Sequence, residues 1–195
     1  MAGGRSIISD DEGISLVELI VAVIVSSLIA GLLTMVFING WTTQQKSIAR
    51  DSATGQANVL TSTMANALRN ATSIRVSGAG TRIDAVVTKP SASFSGTWTW
   101  ECRAWVLTDQ SIRYSAGATP RGADPSGWTV LVGKSTKRPL DKVAAPSGGV
   151  PFTLVGSKGV HTTLDITVGD VQKTVKLSDG MTAQAVATTG AIACW

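Results

Sequence analysis

The feature that most constrains this chain is an unbroken apolar segment near its N-terminus. Between Leu19 and Ile38 the sequence reads LIVAVIVSSLIAGLLTMVFI and contains no charged residue. A helix of about twenty residues is roughly 30 Å long, which matches the hydrocarbon core of a bilayer. A cleavable secretory signal has an apolar region of only about 7–15 residues and ends in a small-residue cleavage site. The segment therefore predicts a helix that crosses a membrane once.

One carboxylate, that of Glu18, stands immediately before this segment. A charged side chain at the centre of a membrane helix costs about 2.5–3.5 kcal/mol on insertion scales, and less near the interface. Two interpretations follow from this cost. Glu18 is either a shallow, solvated carboxylate or a charge that meets a cationic partner, and intramembrane ionisable residues are functional by default.

The sequence Gly13-Ile-Ser-Leu-Val-Glu-Leu19, followed by the apolar run, resembles the class III prepilin signal shared by type IV pilins and type II secretion pseudopilins. The resemblance implies that prepilin peptidase cleaves between Gly13 and Ile14 and then methylates the new N-terminal amine of Ile14. It also implies that Glu18 attracts the N-terminal amine of a neighbouring subunit during assembly. Opposite charges attract strongly in a low-dielectric medium, and each relieves the desolvation cost of the other.

The same resemblance implies where the chain resides and what it meets. Residues 1–13 would be a cleaved leader, residues 14–38 a transmembrane and polymerisation helix, and residues 39–195 an extracytoplasmic head. The expected partners are the membrane, prepilin peptidase, other pilin or pseudopilin subunits and, indirectly, the assembly platform and its ATPase. The chain is expected to be a single-pass protein of the cytoplasmic membrane before assembly, and to stand in a pilus or pseudopilus at the cell surface afterwards.

Beyond Trp41 the apolar residues recur at spacings of three and four, which is the period of an amphipathic helix. This pattern predicts one long helix from about Ile14 to Ser73, with its amphipathic part at about 41–73. Two helices with a bend near Asn39-Gly40 are the alternative. The periodic positions are Ala53, Ala57, Leu60, Met64, Ala67 or Leu68, and Ala71.

After Gly80 the sequence changes to short runs rich in β-branched and aromatic residues, so residues 81–195 are predicted to be β-rich. Hairpin turns are predicted at Asp109-Gln110 and Gly169-Asp170. Because no helical pattern separates the runs, an antiparallel sheet or meander is expected. The fold class is therefore α+β, with a long N-terminal helix packed on an antiparallel sheet. The predicted strands are Arg82–Thr88, Thr97–Leu107, Ser111–Tyr114, Trp128–Val132, Phe152–Val155, Val160–Val168 and Val171–Leu177.

Three of the six tryptophans fall within the strand predicted at Thr97–Leu107. By strand alternation Trp98, Trp100, Cys102 and Ala104 share one face, and Trp105 lies on the other. The first face is interpreted as core that packs on the helix. A binding site that uses the tryptophans is the alternative.

Cys102 and Cys194 are the only cysteines, and both follow the apolar segment. They cannot form a structural zinc site, which needs four ligands, and the single His161 does not complete one. If the head lies outside the membrane, a disulfide is the simplest interpretation, and two separate buried thiols remain open. Some pilins have a C-terminal disulfide loop, so the resemblance also implies this pairing.

The stretch 133–150 is rich in Lys, Arg, Pro and Gly, which predicts an exposed loop. Lys134, Lys137, Arg138 and Lys142 could contact DNA phosphates, as in pilins of competence systems, but a solvated basic loop is the favoured interpretation. The net charge of +4 attracts acidic partners without specificity.

No pattern in the sequence points to catalysis, a cofactor or a metal. His161 lies in a predicted strand without an associated nucleophile or carboxylate pattern, and it is interpreted as a surface or packing residue. The chain is expected to be a structural filament subunit, most specifically a minor pilin or pseudopilin, rather than an enzyme. The alternatives are an adhesive or DNA-binding module displayed by the filament, and a membrane-anchored domain that never polymerises.

Overall fold

A computed structural model describes residues 15–89, 99–169, 173–186 and 192–195. Gly13, Ile14, Trp98 and Asp170, which carry sequence predictions, lie outside these ranges. The described chain forms two compact units that divide between Gln44 and Gln45. Its elements are α1 (Leu16–Arg69), β1 (Ala71–Ser77), a 3₁₀ turn (Gly78–Gly80), β2 (Arg82–Lys89), β3 (Thr99–Thr108), β4 (Ser111–Gly117), β5 (Thr129–Gly133), β6 (Lys142–Ala144), β7 (Phe152–Val155), β8 (Gly159–Val168) and β9 (Lys173–Thr182).

The long helix α1 contains 54 residues and continues through Gly40, so the alternative of two helices is wrong. Glycine lowers helix preference by about 1 kcal/mol relative to alanine, which a helix of this length tolerates. The helix ends at Arg69, four residues before the predicted end at Ser73. Ala71 fits the helical period but begins β1, because its segment pairs with β2, where Ala71 stands opposite Val87.

The strands form two antiparallel sheets, and the predicted α+β fold class is confirmed. The first sheet is a meander in the order β1-β2-β3-β4-β5. In the second sheet β8 pairs with β9 along its whole length, and its other edge is shared by β7 and β6. The hairpin predicted at Asp109-Gln110 joins β3 to β4, and both residues have positive φ angles, as a type I′ turn requires.

One face of α1 beyond Gln45 is buried in a core that both sheets share. The predicted apolar period is therefore confirmed in this part of the helix. The helix contributes Ala53, Ala57, Leu60, Met64, Ala67 and Leu68; the first sheet contributes Ile74, Ile83, Ala85, Val87, Trp105, Ile112 and Val132; the second contributes Val143, Phe152, Val160, Leu164, Ile166, Val168 and Met181.

The alternation of β3 is as predicted, but the assignment of its faces is wrong. Trp105 is completely buried and pairs across the strands with Ile83, which packs in the helix-side core. Cys102 pairs with Val86 and lies on the opposite face of the sheet with Trp100. Pairing with β2 decides which face of β3 meets the helix, and the β3 sequence alone does not contain that register.

Candidate functional site

The apolar N-terminal part of α1 is exposed along its whole length. Leu32 and Phe37, for example, retain 67% and 70% of their accessible surface. Monomeric soluble proteins rarely expose a continuous apolar surface of this size. Within the described residues this is the one helix long and apolar enough to cross a membrane, which is consistent with single-pass anchoring.

Glu18 lies in the first turn of this helix and is exposed. Unpaired N–H groups at a helix N-terminus carry partial positive charge and stabilise a carboxylate there. Among the ion pairs of the described residues, none includes Glu18. The side chain borders a shallow hollow on the helix surface, together with Leu19, Ala22, Val23 and Ser26. A positive group of a second molecule could therefore reach this carboxylate.

A row of small residues continues from Glu18 along the helix at intervals of four: Ala22, Ser26, Ala30 and Thr34. Residues four apart lie on one inclined ridge of an α-helix, and small residues there let a second helix approach closely in a membrane. Thr34 donates its hydroxyl to the carbonyl of Ala30 at 2.8 Å, so this polar group is satisfied inside the helix. This spacing of small residues can be read from the sequence, but the sequence prediction above considered only that the segment is apolar and did not include it.

The two cysteines form a disulfide with a Cα–Cα distance of 5.4 Å, so the predicted bridge is present and the alternative of separate thiols is wrong. Both residues are buried with Val86, Trp100 and Ile192 on the face of the first sheet that does not meet the helix. The bridge joins the C-terminal residues to β3. Trp195 adds a second contact, because the guanidinium of Arg75 lies 5.3 Å from its ring centroid.

On the same face of the sheet, a buried carboxylate binds a neighbouring arginine that contacts a surface loop. Asp84 is 1% exposed and accepts hydrogen bonds from the guanidinium of Arg82, the shortest at 2.7 Å. Arg82 also donates to the carbonyls of Arg121 and Gly122 and lies over the ring of Trp128. A buried charge that is paired and hydrogen-bonded in this way stabilises its loop and needs no catalytic role to explain it.

The prediction of one exposed loop over 133–150 is right only in part, because β6 (Lys142–Ala144) lies within this stretch and its Val143 is buried. The loop between β5 and β6 exposes Lys134, Lys137 and, at its end, Lys142. Its ends are held together because the backbone N–H groups of Lys134 and Val143 both donate to the carbonyl of Gln110, at 3.1 and 2.9 Å. The Arg138 guanidinium lies 3.9 Å from a carboxylate oxygen of Asp141. The structure thus places Lys134, Lys137 and Arg138 in the loop between β5 and β6, and Lys142 at the first position of β6.

A buried polar network connects this loop to α1, and the sequence interpretation missed it. Gln56 donates to Asp141 at 2.7 Å and accepts the N–H of Gly133 at 2.9 Å. The second carboxylate oxygen of Asp141 accepts the N–H of Gly169 at 3.2 Å. Gln56 interrupts the apolar period between Ala53 and Leu60, and this polar residue on a buried face was the available signal.

His161 lies on the exposed face of the second sheet. Its Nε2 atom is 3.2 Å from the hydroxyl of Ser178, and its Nδ1 atom is 3.5 Å from that of Thr163. No group of three or more His, Cys, Asp or Glu residues that could hold a metal ion occurs in the described ranges. The expectation that the chain is not an enzyme stays a prediction.

Comparison with known proteins found no matching family model, no similar curated protein and no similar solved structure.

Proposed function

We propose that this chain is a pilin-like structural subunit, specifically a minor pilin or pseudopilin. In this proposal prepilin peptidase processes it and it assembles into a surface filament or secretion pseudopilus. The observation that carries the proposal is the position of Glu18. Among the described residues this carboxylate takes part in no ion pair, and it stands at the start of a row of small residues on a helix whose following twenty residues carry no charge.

Cleavage between Gly13 and Ile14 would place a new positive amine four residues before Glu18. In a stack of parallel helices, the amine of one subunit can meet the carboxylate of the next. Both groups lose hydration inside a membrane or filament core, so each gains from the other's charge. The small residues that follow Glu18 let the two helices pack closely enough for the pair to form.

The properties of the head agree with a position outside the cytoplasm. Disulfides persist in oxidising compartments and are rare in the cytosol, so the Cys102–Cys194 bridge favours export of the head. Because α1 continues from the apolar segment into the head core, the same helix that anchors the chain also supports its sheets.

Mass spectrometry of the N-terminus tests the processing step. The chain is purified from its native membranes and from an otherwise identical strain that lacks prepilin peptidase. The expected mature chain begins at Ile14 with a methylated amine, and the strain without peptidase retains residues 1–13. A chain that keeps its leader in the presence of the peptidase would refute the processing step.

Glu18→Ala tests the assembly step, with Ser27→Ala as the matched control. Ser27 lies in the same apolar segment, but its hydroxyl donates to its own helix at the carbonyl of Ile24. We expect Glu18→Ala to insert normally and to enter isolated filaments at least about tenfold less, which corresponds to roughly 1.4 kcal/mol. Incorporation of Glu18→Ala at the level of Ser27→Ala would contradict the role of Glu18 in assembly, and absence of the wild-type chain from isolated filaments would favour a membrane-anchored domain that never polymerises.

A further inference from the structure

The basic loop, residues 134–142, combines positive charge with an exposed apolar side chain. Lys134, Lys137 and Lys142 are exposed, and none of them takes part in an ion pair among the described residues. Between them, Leu140 retains 55% of its accessible surface. The loop therefore presents one apolar side chain beside three cationic ones.

The one acidic residue of the basic loop pairs with Arg138 and, among the ion pairs of the described residues, with none of the three lysines. Asp141 is 5% exposed, and its carboxylate also accepts hydrogen bonds from Gln56 and from the N–H of Gly169. The same network, with the two hydrogen bonds to the Gln110 carbonyl, holds the loop in shape before any partner arrives. A preorganised loop loses less conformational entropy on binding than a mobile one.

We propose that the basic loop binds a bilayer surface that contains anionic phospholipid. Lysines near such a surface are attracted by the headgroup phosphates, and a leucine beside them can enter the boundary between headgroups and acyl chains. The same chain has a helix that could anchor it in a membrane, and such a tether raises the effective concentration of lipid at the loop. The inference depends on membrane anchoring and not on filament assembly.

Duplex DNA is the other polyanion that these lysines could contact. Lysines and hydroxyls suffice for phosphate contacts, so that interpretation gives Leu140 no role. It also gains nothing from the membrane helix. Lipid accounts for both features, and the experiment separates the two partners.

The test uses the full chain in vesicles, with an environment-sensitive fluorophore on a cysteine at the exposed position Thr136. Because Cys102 and Cys194 are bonded to each other, Thr136→Cys supplies the only free thiol of the described residues. Headgroup-attached quenchers report how much of the loop is docked. We expect quenching in phosphatidylglycerol-containing vesicles, and its loss in phosphatidylcholine vesicles or at high salt.

Two sets of variants examine the contact residues. Lys134→Gln with Lys137→Gln should lower the docked-to-free ratio about 25-fold, since each lysine near an anionic surface contributes about fivefold. Leu140→Ser should lower it roughly fivefold. The matched control is Arg69→Gln with Lys158→Gln, which removes equal charge and should leave the ratio unchanged. Lys158 precedes β8 at the end opposite to the Lys142–Thr167 pair, about 30 Å away by strand geometry.

Quenching that does not depend on the fraction of anionic lipid would overturn the proposal. So would a loss of quenching in the control pair equal to that in the Lys134→Gln, Lys137→Gln variant. Duplex DNA that binds the loop in phosphatidylcholine vesicles at near-physiological salt, and displaces it from anionic vesicles, would overturn it in favour of nucleic acid. Neither result depends on Glu18, so failure of this contact is distinguishable from failure of assembly.

Discussion

The two parts of α1 on either side of Gln44 belong to one continuous helix but differ in what covers them. Before Gln44 the described helical residues are exposed on all sides; beyond it, one face is buried under two sheets. The two parts also differ in composition: the first contains a charge-free apolar run from Leu19 to Ile38, and the second is amphipathic. Helix formation is therefore shared, whereas burial is confined to the part that packs against the two sheets.

The largest expected difference between the two parts comes from removing a leucine side chain. Leu60→Ala should lower the free energy of unfolding of the head by about 3–5 kcal/mol, because Leu60 is fully buried and leaves a cavity. Leu32→Ala, the matched control in the exposed part, should change it by less than about 0.5 kcal/mol. Urea unfolding of the full chain in detergent, followed by tryptophan fluorescence, measures both. Similar effects of the two variants would contradict the difference in burial between the two parts of α1.

Loss of the disulfide should destabilise the head and leave the first part of the helix unaffected. Cys102→Ala with Cys194→Ala is expected to lower the free energy of unfolding by about 2–4 kcal/mol, because an open chain gains entropy when it unfolds. Membrane insertion should be unchanged, as measured by carbonate extraction. Wild-type protein under reducing conditions is the control and should show a similar loss of stability. An unchanged urea midpoint in both cases would mean that the bridge is not needed to hold the C-terminal residues.

Two glutamines of α1 allow a comparison with one residue type. Gln56→Leu should cost about 1–3 kcal/mol, because it leaves the buried Gly133 N–H without its acceptor and removes a hydrogen bond from the buried Asp141 carboxylate, which keeps only its longer ion pair with Arg138 at that oxygen. Gln44→Leu, at an exposed position of the same helix, should be nearly neutral. The urea experiment above measures both. Equal stabilities would show that water replaces the Gln56 contacts.

The smallest expected effect concerns the sheet surface near Trp105. Burial raises the pKa of Tyr114, Arg103 lowers it and Glu101 raises it. The neutral phenol is therefore favoured in the folded state, and its contribution to stability is present below about pH 10 and lost as pH rises through the folded pKa. Because Tyr114 is the single tyrosine, absorbance of tyrosinate reports it directly. The pH at which tyrosinate forms should be higher in the folded chain than in the urea-unfolded chain. Identical titration curves would mean that Tyr114 is as exposed to solvent in the folded chain as in the unfolded one.

Local patterns in the sequence predicted the elements that depend on them. The charge-free run and the apolar period predicted α1, and alternation predicted seven of the nine strands. The failures have one cause, which is dependence on distant partners. Ala71 fits both a helix and a strand, and only pairing with Val87 of β2 selects the strand. β6 has three residues and forms through pairing with β8, so its own sequence carries almost no signal.

The candidate sites follow the same division. Glu18 could be identified from the sequence because a charge is unusual beside a long apolar segment. The basic residues could be identified because they cluster within a short stretch. The role of Asp141 was not seen, because the sequence does not show that its carboxylate meets Gln56, 85 positions earlier. The face of β3 that receives the helix was likewise assigned wrongly, since Ile83 decides it through the register of another strand.

The disulfide also determines how the head would respond to mechanical tension. It closes the chain between Cys102 and Cys194 into a covalent ring that contains β4 to β9 and leaves β1 and β2 outside. If the end of α1 at Arg69 and the C-terminal residues are pulled apart, the stretch from Arg69 to Cys102 is the part between them that lies outside the ring and can extend fully. That stretch, about 33 residues, extends to roughly 115 Å, whereas a chain without the bridge could extend several times further. The head under load would thus yield by a limited length and keep most of its strands within a closed ring.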